Sequence, residues 1–179
     1  NFWENKKVLV TGAHGFVGKN LMKILSNKKC KILSPTSKEL DLTNEEQVKN
    51  YFFHEKPEIV LHLAGKVGGI AANKASPGEF FYKNIMMGTL VMEYARLSGC
   101  EKVVALAAGC GYPKHLSVPY AEVDFWKDLP DENSIGYSMA KKNLIIQSWT
   151  YREQYNFNSV ILLPANLYGP HDNFDLETS

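Results

Sequence analysis

Lys6-Lys7-Val8-Leu9-Val10-Thr11-Gly12-Ala13-His14-Gly15-Phe16-Val17-Gly18 is the stretch whose reading decides the fold. Its apolar centre, Val8 to Val10, is unbroken rather than alternating, the pattern of a strand buried on both faces. From Val17 to about Ser26 the apolar residues return at helical spacing. Between strand and helix stand Gly12, Gly15 and Gly18. A first glycine in that position allows a tight turn, a second lets backbone approach a pyrophosphate, and a third lets the helix pack close to the strand. The helix N-terminus then offers free N–H groups and the positive end of its dipole to a phosphate. A tight strand-to-helix turn without a ligand would carry the same glycines. The strand–turn–helix setting near the start of the chain favours a dinucleotide site built from Gly12, Ala13, His14, Gly15, Phe16, Val17 and Gly18.

Outward from this unit the chain keeps alternating short apolar runs with longer amphipathic ones. Further strands are expected over 30–33, 58–63, 102–107 and 159–163. Thr43 and Glu46 have the spacing of a capping box, so a helix is expected from there to about His54. Ser76-Pro77 opens a long helix, because proline suits the first helical turn, and Gly99 closes it. A last helix is expected over 136–155, after an irregular stretch holding Pro113, Pro119 and Pro130. Strands alternating with helices imply βαβ units and a parallel sheet, so the expected class is α/β, a doubly wound Rossmann-type sheet. The 179 residues read as one nucleotide-binding domain. The run 168–174 leaves the fifth strand without entering another element, so the chain looks unfinished and a substrate-binding domain is expected after Ser179.

Composition narrows the class of partner. Hydrophobic residues make up 45% and charged residues 22%, ordinary for a globular protein, and the formal net charge is +1. Such a balance gives no global pull toward nucleic acid or an acidic membrane. Lys28, Lys29 and Lys31 read as a solvated face. Cys30, Cys100 and Cys110 are odd in number and far apart, which suits a reducing compartment, and no Cys/His cluster has zinc spacing, so no metal is expected. No apolar run reaches the roughly 18 residues of a membrane span, and the start Asn1-Phe2-Trp3-Glu4-Asn5 is no signal peptide, so a cytoplasmic protein is expected.

Two further stretches carry chemistry. After the second strand, Ser34-Pro35-Thr36-Ser37-Lys38 brings no carboxylate before Glu39 to bind an adenosine ribose 2′-hydroxyl. With Ser37, Lys38 and His14 nearby, this leans toward a 2′-phosphate and NADP, with NAD the alternative. Asp41-Leu42 would border the adenine, or simply precede the helix start. Tyr137-Ser138-Met139-Ala140-Lys141 places a phenol and an ammonium one helical turn apart. A nearby positive charge favours phenolate and would lower the tyrosine pKa toward working pH, as a general acid/base requires. A solvated helix face would carry the same pair, but the glycine turn upstream favours chemistry.

Leu63-Ala64-Gly65-Lys66-Val67-Gly68-Gly69-Ile70, Cys110-Gly111-Tyr112-Pro113-Lys114 and Asn166-Leu167-Tyr168-Gly169-Pro170-His171-Asp172-Asn173-Phe174 complete the pattern. With them the chain resembles, over nearly its whole length, the extended short-chain dehydrogenase/reductases and, among these, the GDP-L-fucose synthase group. The resemblance implies an NADP-dependent enzyme of nucleotide-sugar metabolism that epimerises a GDP-linked 4-keto-6-deoxy sugar beside its ketone and then reduces the ketone. It implies that Tyr137 protonates the developing alkoxide, that Lys141 holds the nicotinamide ribose, and that Cys110 exchanges protons; a packed thiol is the alternative for Cys110. It implies cofactor contacts from Leu63, Ala64 and Gly65, from Leu106, Ala107 and Ala108, and from Pro164, Ala165, Asn166 and Leu167. Related GDP-sugar or GDP-heptose reductases, and a nucleotide-binding module without catalysis, share these motifs. Where the family carries a Ser or Thr to bind the ketone, this chain has Ala108, and losing one such donor costs on the order of 10²–10³ in rate. The family's histidine partner of the cysteine would fall after Ser179; His171 matches a different position. The resemblance also implies a homodimer through the 77–98 and 136–155 helices. Phe80, Phe81, Ile85, Met86, Leu90, Val91 and Tyr94 make the first of these more apolar than one core-facing stripe needs.

Overall fold

The computed structural model describes residues 2–174; Asn1 and residues 175–179, including the expected domain end at Ser179, lie outside the described residues. The strand before the glycine turn is β1 (Lys7–Thr11), and the helix after it is α1 (Phe16–Leu25). There follow β2 (Lys31–Leu33), α2 (Glu45–Glu55), β3 (Ile59–His62), α3 (Ile70–Ala75) and α4 (Pro77–Leu97). β4 (Lys102–Leu106), α5 (Ile135–Tyr155) and β5 (Ser159–Leu162) complete the order. The five strands form one sheet in the order β2-β1-β3-β4-β5, every pair parallel. The α/β class and the doubly wound order expected from the sequence are present.

The two faces of the sheet follow from the two-residue period of its strands. Leu9, Val60, Val103 and Ala105 join Val48, Phe52, Leu90, Val91 and Leu144 in the core beneath α2, α4 and α5. Val8, Val10, Ile59 and Leu61 point the other way and pack with Leu25 under α1. α4 and α5 lie close because Gly88 leaves room: a Cβ there would sit 2.6 Å from Cδ2 of Leu144. After β5 the chain turns back to α1, where Asn20 donates to the Pro170 carbonyl at 2.8 Å and Lys23 donates to Nε2 of His171 at 2.9 Å.

Three expectations shift. Thr43 is not the cap of α2. Asn44 is, its side chain accepting from the Gln47 N–H, while the Thr43 hydroxyl donates to Asp41 at 2.7 Å. Asp41 holds Thr43 through its hydroxyl and its N–H, and the Asn44 amide oxygen accepts in the cap instead. The short helix α3, in a stretch for which no element is expected from the sequence, precedes the Ser76-Pro77 start of α4. And of the run on α4 that is more apolar than one core-facing stripe needs, Phe80, Leu90, Val91 and Tyr94 are core residues, leaving Phe81 as its exposed member. Among the described residues no helix is long and apolar enough to cross a membrane.

Candidate functional site

The strand order reverses at β1, where the chain passes to β2 on one side and then to β3 on the other. In such sheets a crevice opens beyond the carboxyl ends of the strands at that point. Here it is a cleft of about 680 Å³. Gly12, His14, Gly15, Phe16, Val17 and Gly18 line it after β1, Thr36, Ser37, Asp41 and Leu42 after β2, and Leu63, Ala64 and Gly65 after β3. Its floor is tied across β1 and β3. The Thr11 hydroxyl lies 2.7 Å from Nδ1 of His62 and accepts from the Ala64 N–H at 3.3 Å. Burial, with the Lys141 charge nearby, lowers the His62 pKa to about 3, so this imidazole is a neutral strut.

The glycine turn has the shape that a close ligand requires. Gly12 takes φ +71°, and a Cβ there would stand 2.7 Å from the Ala64 nitrogen; at Gly18 it would stand 2.1 Å from the Gly12 carbonyl oxygen. Gly15 begins α1 with extended backbone and no side-chain cap, and the first turn holds no carboxylate. Backbone N–H groups and the dipole end are thereby left for an anion. Ala13 does not line the cleft; it is buried behind the turn.

At the end of β2 the geometry differs from the expectation in one respect. Lys38 is exposed and does not line the cleft. His14 does, its Nε2 3.1 Å from the Ser34 carbonyl. Glu39 turns back on the loop, accepting from the Thr36 N–H and hydroxyl at 2.8 Å each, and those bonds hold its carboxyl below the usual range. Two lysines that the sequence reading did not single out as ligands line the cleft, Lys66 and, from α4, Lys83. Both meet the same Glu79 oxygen, at 3.0 and 2.7 Å.

A second cluster forms at the ends of β4 and β5. Lys141 is buried, donates to the Leu106 carbonyl at 3.2 Å, and lies 5.9 Å from the centre of the Tyr137 ring. It also lies behind Gly65 of the cleft wall, without lining the cleft itself: a Cβ on Gly65 would be 3.3 Å from its Nζ. Burial lowers the Lys141 pKa to about 8. Burial also raises the Tyr137 phenol to about 12, with the Cys110 thiol adding to the rise. The expected lowering of Tyr137 by its lysine is therefore absent. Desolvation outweighs a charge whose hydrogen bond goes to Leu106 rather than to the phenol.

Cys110 is exposed as a residue, yet its sulfur meets the buried Ser138 hydroxyl at 3.2 Å. Ala107 and Ala108 lead from β4 into the 3₁₀ turn Gly109–Gly111, and a Cβ on Gly109 would be 3.1 Å from the Pro164 carbonyl. Leu106, which accepts from Lys141, and Pro164 and Ala165, which face Gly109, border this cluster; neither they nor Ala107, Ala108, Asn166 and Leu167 line the cleft proper. The three cysteines are free, and among the described residues no group of side chains could hold a metal ion.

Residues 8–179 match the NAD dependent epimerase/dehydratase family. A GDP-L-fucose synthase of Sinorhizobium fredii (strain NBRC 101917 / NGR234) is 36% identical over 98% of this chain and 56% of its own length. A GDP-6-OMe-4-keto-L-xylo-heptose reductase from Campylobacter jejuni superposes with a TM-score of 0.92 at 31% identity, covering 98% of this chain and 50% of that one. A GDP-mannoheptose C4 reductase from the same organism, solved with NADP bound, gives 0.90 at 30% identity, over 94% and 54%. The chain spans about half the length of these relatives.

Proposed function

Since the chain belongs to the NAD-dependent epimerase/dehydratase family, we propose that it is the cofactor-binding part of an NADP-dependent enzyme that epimerises and reduces a GDP-linked 4-keto-6-deoxy sugar. The observation that carries this is the place of Lys141. Its ammonium lies beside Gly65 of the cleft wall and donates to the Leu106 carbonyl at the Tyr137–Cys110 cluster, so a cofactor bound in the cleft would approach the reacting groups at this one charge.

The residues fit NADP: the glycine turn leaves no Cβ in the way, and the α1 N-terminus is uncapped. Gly12, His14, Gly15, Phe16, Val17 and Gly18 would cradle the pyrophosphate, with Asp41, Leu42, Leu63, Ala64 and Gly65 around the adenosine. The 2′-phosphate preference rests on Thr36, Ser37 and His14. Lys38, held off the cleft, becomes at most an outlying charge. When bound, the cofactor supplies the hydride. Lys141 holds the ribose hydroxyls and, with Leu106, Ala107, Ala108 and 164–167, frames the sugar side. Tyr137, neutral throughout the physiological range, is a proton donor at the ketone oxygen. Cys110 moves protons at the carbons beside the ketone. Recognition of the sugar is assigned to a domain following these residues. A homodimer through α4 and α5 would cover Phe81, Ile146 and Trp149, and three free thiols suit the cytoplasm.

A second reading, a GDP-linked keto-heptose as substrate, is favoured by the two heptose reductases whose structures superpose on this chain. Incubating the complete protein with GDP-4-keto-6-deoxymannose and with GDP-keto-heptoses, with NADPH or NADH, separates the two. Consumption of NADPH with the deoxy sugar, and loss of solvent deuterium wash-in with Cys110→Ser, is the expected result. Turnover of the heptose alone would move the assignment to the second reading, and failure to bind either cofactor would end both.

A further inference from the structure

Ser138 follows Tyr137 directly, and its side chain is fully buried while its backbone stays in the helix. Its hydroxyl stands 3.2 Å from the Cys110 sulfur, 3.1 Å from the Cys110 carbonyl oxygen and 3.2 Å from the Ser134 hydroxyl. One hydroxyl proton therefore faces three acceptors, two of them on Cys110. Ser134 in turn lies 3.5 Å from the Asp131 carbonyl, so its own proton is drawn away from Ser138.

A buried hydroxyl so placed has two stable orientations. With a neutral thiol, it donates to the Cys110 carbonyl. Once the thiol ionises, the thiolate is the stronger acceptor and the proton turns to sulfur. No side chain has to move between the two states; only the hydroxyl rotates. The titratable groups acting on this sulfur are Lys141 and Tyr137, both on α5. Lys141 favours the thiolate but spends a hydrogen bond on Leu106, and Tyr137 is neutral below about pH 12.

We propose that Ser138 is a positioning residue for Cys110, holding the sulfur in place and turning its hydroxyl to stabilise the thiolate that proton exchange requires. This rests on the proton-exchange role given to Cys110 above. Desolvation raises the thiol pKa, and the Ser138 hydrogen bond is the largest influence opposing that rise.

The test is the pH profile of iodoacetamide alkylation in the folded chain, resolved by peptide mass so that Cys110 is read separately from Cys30. Cys100, pushed up to about 12 by burial, stays silent as a control. Ser138→Ala is isosteric and helix-compatible, and circular dichroism confirms that it folds. Alkylation of Cys110 at pH 8 should slow about tenfold and its midpoint move to higher pH, as expected when a hydrogen bond to the charged form is removed. Cys30 should be unaffected. Ser134→Ala, which removes a neighbour that does not touch sulfur, should leave the Cys110 rate within about twofold. An unchanged Cys110 profile in Ser138→Ala, or an equal shift in Ser134→Ala, overturns the inference. A shifted profile together with undiminished deuterium wash-in in Cys110→Ser would instead overturn the reaction that the hydroxyl is held to serve.

Discussion

Lys141 is nearly out of water, and its ammonium donates to a neutral carbonyl, so the folded chain holds its proton less tightly than the unfolded chain does. Its pKa falls from 10.5 to about 8. Between those values the unfolded state binds the proton that the folded state has released, so stability rises with pH across that window. Below it, the charged lysine costs on the order of 3 kcal/mol. Lys141→Met keeps the bulk and removes the charge, at the loss of about 1 kcal/mol for the Leu106 hydrogen bond. The variant should melt roughly 5 °C higher at pH 7, and the gain should vanish near pH 10.5, where both side chains are neutral. An unchanged or lower melting temperature at pH 7 would mean that the ammonium is well solvated where it sits. The same residue shows the limit of motif reading. A tyrosine and a lysine four apart were legible as a pair, but the direction in which burial moves the phenol was not, since neighbours along the helix say nothing about the carbonyl that takes the ammonium.

Elements impose their own constraint, through how closely they pack. Replacing a helical glycine by alanine ordinarily stabilises by up to about 1 kcal/mol. Gly78, in the first turn of α4, has nothing within 4 Å of a built Cβ, so Gly78→Ala should raise the melting temperature slightly. Gly18 has the same helical advantage and the opposite surroundings: its Cβ would lie 2.1 Å from the Gly12 carbonyl oxygen and 2.6 Å from Ala13. Those are backbone atoms that cannot swing aside. Gly18→Ala should therefore cost on the order of 1–3 kcal/mol, the range for overpacking, and weaken NADPH binding at least tenfold by displacing α1 from β1. Equal stabilisation by both substitutions, read by thermal melting, would show that the glycine turn is not packed as described. The cap of α2 teaches a related point. Thr43 and Asn44 are both competent caps by residue type; in the fold Thr43 is bound to Asp41 and the Asn44 amide oxygen accepts from the Gln47 N–H.

For the molecule as a whole, the cleft predicts a thermal response to ligand. A cofactor that binds only the folded chain stabilises it by about 2.7 kcal/mol at a hundredfold excess over its dissociation constant. NADPH at that level should raise the melting point by roughly 5–10 °C, and the same concentration of NADH should raise it less. Equal shifts would remove the NADP preference, and no shift with either would remove the dinucleotide site. By itself, the sequence determined the alternation of strands and helices, the site of the crevice after the first strand, and the Tyr137–Lys141 pair, whereas Cys110 entered only through the family resemblance. These are written locally, in two-residue and helical periods, in the glycine spacing, and in a pair one helical turn apart. Only the tertiary structure decided that Lys83 from α4 lines the cleft while Lys38 does not. It also decided that Lys141 joins the cleft to the Cys110 turn and that Ser138 reaches that sulfur. Each of these is a contact between residues at least 28 positions apart or a matter of which side of a loop faces inward, and both depend on how the helices pack across the sheet.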